Sequence, residues 1–89
     1  MKTIRLTVKG KVQGVYYRAS AKNIAEQLAI TGWIKNLPDR NVEIRATSSE
    51  EILQQFINWC RHGSPRAIVD EVIIEELGIE EFIGFRIIR

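Results

Sequence analysis

Residues 3–28 read TIRLTVKGKVQGVYYRASAKNIAEQL, and two periods lie back to back in them. Ile4, Leu6 and Val8 alternate with Thr3, Arg5, Thr7 and Lys9, the period of a strand with one buried face. From Tyr17 onward the apolar positions fall at Ala21, Ile24, Ala25 and Leu28, the spacing of a helix with one buried stripe. Gly10 to Gly14 break the first period before the second begins, and Gly32 is expected to stop the helix. A strand that feeds a helix through a glycine-flanked loop opens a split βαβ unit.

The rest of the chain supplies the second half of that unit. Thr31 to Asn36 reads as a strand, Asn36-Leu37-Pro38-Asp39-Arg40-Asn41 is turn chemistry, and Val42, Ile44 and Ala46 alternate with Glu43, Arg45 and Thr47 in a third strand. Within the turn, Asn41 can take a positive φ, where Arg40 would be strained. Ser48 followed by Glu51 reads as a capping box for a second helix with the stripe Ile52, Leu53, Phe56, Ile57 and Cys60, ended by Gly63. Ser64-Pro65 breaks the chain before a fourth strand, Ile68 to Leu77, and Phe85 and Ile87 mark a short last one.

The expected class is therefore α+β, a ferredoxin-like βαββαβ sandwich in one domain over residues 1–89. Two helices should cover one face of an antiparallel sheet that carries an extra C-terminal edge strand. With the sheet ordered 4-1-3-2, the first two strands run the same way. The loop after the first and Asn36 at the end of the second then share one sheet edge, about 10 Å apart.

Composition narrows the function classes. Hydrophobic residues make up 45% and charged residues 27% of 89, enough for a core and too apolar for a disordered chain. No apolar run reaches the about 18–20 residues of a membrane span, and the N-terminus lacks a secretion signal. A single cysteine, Cys60, excludes an internal disulfide and a cysteine metal cluster. A cytoplasmic protein, monomeric and not membrane-bound, is expected. The net charge of +2 hides an asymmetry: Lys2, Arg5, Lys9, Lys11, Arg18 and Lys22 precede the first acid, Glu26, while Asp70 to Glu81 holds six acids and no base. Such a chain suits a small anion bound locally better than a broad nucleic-acid surface.

The segment Gly10-Lys11-Val12-Gln13-Gly14-Val15-Tyr16-Tyr17-Arg18 joins a strand to a helix N-terminus, where backbone N–H groups are unpaired and the dipole is positive. Gly10 and Gly14 allow left-handed conformations that gather N–H groups into an anion nest. The Walker ending is absent, so neither a nucleotide nor magnesium is implied. Arg18 opposes the macrodipole in a first helical turn that has no capping side chain, a broken local rule that an anion would satisfy. Its planar fork matches phosphate oxygens. Alternatively, the glycines shape a turn and Arg18 is merely solvated, and an Asn such as Asn36 at a hairpin mouth commonly bonds its own backbone.

These residues resemble the acylphosphatase family. Gly10 to Arg18 is similar to its first signature, Gly-x-Val-Gln-Gly-Val-x-Phe-Arg, and Gly32-Trp33-Ile34-Lys35-Asn36 with Val42-Glu43 to its second. The resemblance extends over the whole chain. It implies hydrolysis of acyl phosphates to a carboxylate and inorganic phosphate, without metal or cofactor. By the same resemblance, Arg18 and the amides of Gln13, Gly14, Val15, Tyr16, Tyr17 and Arg18 bind the phosphoryl group, so phosphate or sulfate should bind as a product-like anion. The resemblance likewise implies that Asn36 holds the attacking water. Tyr17 stands where the family usually has Phe, and Arg40-Asn41 replaces a glycine-containing turn.

The chemistry agrees. The leaving carboxylate has a pKa of about 4–5, near that of Asp and Glu side chains, and departs without a general acid. A loose phosphoryl transition state asks mainly for positioning and charge stabilisation. A rate nearly flat across mid-range pH is expected. His62 reads as a helix-end surface residue, Cys60 as a core thiol, Trp33 and Trp59 as core or its rim, and the acids of Asp70 to Glu81 as a solvated edge. Two other readings suit the same fold: a sheet that stacks RNA bases, for which the two central strands offer no outward aromatic, and a non-catalytic phosphate-binding regulatory module.

Overall fold

Strand β1 (Lys2–Lys11) buries Ile4, Leu6 and Val8 on one face, as its alternation dictates. A computed structural model describes residues 1–89, in the order β1, α1 (Tyr17–Gln27), β2 (Thr31–Asn36), β3 (Val42–Ser48), α2 (Glu50–His62), β4 (Ile68–Leu77) and β5 (Phe85–Ile88). The sheet order is β4-β1-β3-β2-β5, so β1 and β2 run the same way on either side of β3. Leu6 faces Ile44, Val8 faces Val42 and Ile34 faces Ile44, which stacks one apolar row across three strands. Leu53, Phe56, Ile57 and Cys60 of α2 and Tyr17, Ala21 and Ala25 of α1 close over that row in a core of 18 buried residues.

The sheet is mixed rather than wholly antiparallel. The last strand, β5, lies parallel to β2, with Gly32 opposite Phe85 and Ile34 opposite Ile87. The connection from β4 crosses over the open face first, and the Glu80 amide donates to Thr3 Oγ1 at 2.8 Å. Thr3 is therefore fully buried although it points away from the helices, and Glu80 pairs with Arg45 at 2.6 Å instead of lying solvated.

Three glycine and cap assignments shift. Gly32 does not stop α1; it sits inside β2, where a Cβ would collide with the Arg45 carbonyl of β3. The helix ends in a Schellman arrangement, with Ile30 N–H donating to Ala25 O (2.8 Å) and Ala29 N–H to Glu26 O (3.1 Å), and Ala29 takes φ 55°. Gly10 lies within β1, at a bulge against β4, where a Cβ would strike the Ile68 carbonyl. There it lets β1 pair closely with β4 just before the loop begins. The N-cap of α2 is Ser49, whose Oγ accepts from Ile52 N–H at 3.3 Å; Ser48 ends β3, so no Glu completes a capping box.

Candidate active site

Between β1 and α1 the chain is pinned from below and open above. Val12 and Val15 are buried, which fixes the loop to the core by two apolar anchors. Gly14 (φ 74°) and Tyr16 (φ 62°) flank Val15 in left-handed conformations that curl the backbone into a nest. Tyr16 is the N-cap of α1 and offers no side-chain cap. The first amide bond of the helix is Ser20 N–H to Tyr16 O at 3.0 Å, and no N–H from Gln13 to Ala19 has an acceptor in the protein. Seven consecutive donors are thus left unpaired at a helix N-terminus, where partial positive charge collects.

Three side chains tie this loop to distant segments. Gln13 Nε2 donates to Leu37 O (2.9 Å) and Asn41 O (2.8 Å), which fastens the loop to the β2–β3 turn. Ser64 Oγ donates to Val15 O at 2.7 Å, and Tyr17 Oη donates to Cys60 O at 2.8 Å. A cavity of about 410 Å³ opens beside the loop, lined by Val12, Gly14, Tyr16, Tyr17, Arg18, Ala19, Ile87 and Arg89. Arg18 takes part in no ion pair or side-chain hydrogen bond.

Asn36 ends β2 opposite Val42, which itself faces Val8 of β1, so it occupies the same sheet edge as the loop. It lines neither this cavity nor the second one, formed by Gly10, Lys11, Val12, Gln13, Gly14 and Arg40. Its Oδ1 is buried without a donor, and its carboxamide bonds no backbone group. An Asn that merely closed a hairpin would have spent that carboxamide on the turn; the turn is instead held by Asp39, whose carboxylate accepts from Asn41 N and Nδ2 at 3.1 Å each.

The acylphosphatase family model matches residues 4–87. The chain belongs to that family. An acylphosphatase of Marinobacter nauticus is 51% identical over 91% of this chain and 89% of the other. Two solved acylphosphatases are also similar. One, from Bacillus subtilis, has a TM-score of 0.97 at 34% identity over all of both chains; the other, from Coxiella burnetii, has 0.93 at 40% identity over 97% of this chain and 90% of the other. The activity is that of an acylphosphatase hydrolase on a small acyl phosphate. No helix is long and apolar enough to cross a membrane.

Both departures from the acylphosphatase signatures have a structural account. The Tyr17 hydroxyl finds the Cys60 carbonyl, one of the orphan acceptors at the end of α2, and its ring packs 5.3 Å from that of Trp59. In the turn it is Arg40, not Asn41, that takes positive φ (73°), because Asp39 holds Asn41 from both sides. The remaining candidates lie outside the acylphosphatase loop. His62 Nδ1 pairs with Asn58 O at 2.8 Å within its own helix. Burial pushes the Cys60 thiol up to about 12, which leaves it inert. Trp33 is not core: it lies on the open face between Lys35 and Arg45, 5.2 and 5.5 Å from its ring.

Sequence reasoning missed Ser64, the side-chain role of Gln13, and Ile87 and Arg89 in the cavity wall. Gln13 carried a signal, as the one polar side chain among Val12, Gly14 and Val15. Ser64 carried none, since it meets Val15 across 49 positions.

Proposed function

We propose that this acylphosphatase seats the phosphoryl group of its substrate on the amides of Gln13, Gly14, Val15, Tyr16, Tyr17 and Arg18, with the Arg18 guanidinium across its equatorial oxygens. Water attacks phosphorus in line, the P–O bond to the acyl group breaks, and the carboxylate leaves with the electron pair. The water protons pass to the departing phosphate and solvent. Asn36 orients that water by hydrogen bonding; a carboxamide takes no proton near neutral pH, so it does not act as a base. The single observation that supports this reading is the run of amides from Gln13 to Ala19 without protein acceptors, beside an unpaired Arg18. Preorganised donors of this kind stabilise charge as it spreads over the transition state.

Neither a metal nor a cofactor has a task in this chemistry, because a carboxylate leaves unaided. Phosphate or sulfate binds as a product-like anion. The 89 residues work as one domain and as a monomer, which the acids along edge strand β4 (Asp70, Glu71, Glu75, Glu76) support by discouraging strand addition. A reduced, buried Cys60 suits a cytoplasmic setting. Phosphate release from benzoyl phosphate with EDTA present tests the scheme. Wild type should turn over, while Arg18→Ala and Asn36→Ala should each lose at least about 100-fold in kcat with folding intact, the scale of a lost oxyanion donor. Phosphate binding without turnover in wild type would instead mark a regulatory module.

A further inference from the structure

We propose that Ser64 is a positioning residue for the reaction: by gripping the Val15 carbonyl from beneath, it aims the Tyr16 N–H at the phosphoryl group. The inference rests on the amide cradle proposed above. Val15 C=O and Tyr16 N–H belong to one peptide plane, and the chain has no cis peptide bond. In a trans peptide the two groups point in opposite directions. Ser64 is 3% exposed and donates to Val15 O at 2.7 Å from the buried side of the loop, while Tyr16 is 79% exposed. The Tyr16 N–H therefore faces outward, on the side where Gly14, Tyr16 and Arg18 line the cavity.

The grip is built to hold. Pro65 follows Ser64 and confines its backbone to extended conformations, which fixes where the hydroxyl points. Gly63 takes φ 74°, and a Cβ there would lie 2.9 Å from the Tyr17 ring, so the α2–β4 connection presses directly against the start of α1. Tyr16 is a β-carbon-bearing residue held at φ 62°. Left-handed geometry of that kind persists only where the surroundings over-determine it, and the Ser64–Val15 bond does so from the adjoining peptide. Release of the carbonyl lets the plane rotate and carries the donor away from the anion.

The test compares wild type, Ser64→Ala, Ser64→Cys and a core control, Ile57→Val, by kcat and KM on benzoyl phosphate, by inhibition with inorganic phosphate, and by the phosphate-induced shift of the Tyr16 amide in 15N NMR. Ser64→Ala should lower kcat about tenfold or more, as expected for a misplaced oxyanion donor. It should also weaken phosphate inhibition and abolish the Tyr16 amide shift. Ser64→Cys, whose thiol is a poor donor of similar shape, should fold and show the same losses. Ile57→Val should lower the melting temperature and leave all three readouts at wild-type values. Wild-type kcat and a retained Tyr16 shift in either Ser64 variant would overturn the proposal. Amides from Gln13 to Ala19 that ignore phosphate in wild type would overturn the cradle itself, and this proposal with it.

Discussion

Arg40 is held at φ 73° by the Asp39 carboxylate on one side and its own N–H to Leu37 O at 3.1 Å on the other. Left-handed geometry costs a β-carbon-bearing residue about 1–2 kcal/mol, and glycine avoids it. Arg40→Gly is therefore expected to raise stability by about 1 kcal/mol, a melting-temperature gain of about 4–8 °C for a domain of this size. Differential scanning calorimetry would read it. Cys60 and Tyr17 give the chain an alkaline limit. Burial raises the Cys60 thiol from 9.0 to about 12 and, with the Cys60 contact, drives the Tyr17 phenol upward from 10.0. The unfolded chain loses these protons first, so stability is complete below pH 9 and falls as pH climbs toward 12. A urea midpoint that did not drop between pH 7 and pH 11 would contradict this assignment.

At the scale of elements, the β1–α1 loop and the β2–β3 turn act as one piece because Gln13 joins them. Gln13→Ala removes both bonds and leaves the loop free to drift from Asn36. A shift of about 1 Å at a reacting centre costs up to about 100-fold in rate, so kcat/KM should fall by at least about tenfold in steady-state assays. Much of this scale was legible beforehand: period-2 alternation located β1 and β3, helical spacing located both helices, and the breaks at the turn and at Ser64-Pro65 set off β2 and β4. The parallel β5, the bulge at Gly10 and the contact that demands Gly32 were not legible, since each depends on a strand far away in the chain. The Asn36 carboxamide is a mixed case. Topology brought it to the sheet edge that carries the loop, but only the three-dimensional surroundings leave its Oδ1 without a donor.

Across the whole molecule, cations gather at the edge that carries the loop. Lys11, Arg18, Arg40 and Arg89 line its two cavities and enter no ion pair, whereas Lys2, Arg5 and Arg45 are neutralised by Glu50, Glu75 and Glu80 elsewhere on the sheet. Under the proposed seating, an anionic substrate is drawn to that edge by an unshielded field. As the screening length shrinks from about 30 Å at 0.01 M salt to about 3 Å at 1 M, kcat/KM should decline several-fold, with kcat less affected. Stopped-flow or initial-rate measurements across that series would check it; a salt-independent kcat/KM would mean that the cations do not steer.

The ties that hold the β1–α1 loop span 24, 28, 43 and 49 positions of the chain, and they come from a turn, a helix end and a connection on three different flanks. Contacts of such long range close late during refolding. A half-formed chain with native helices and an undocked α2 would therefore be catalytically silent. Turnover becomes a stopwatch for the last stage of folding, starting only after the helical signal has already returned.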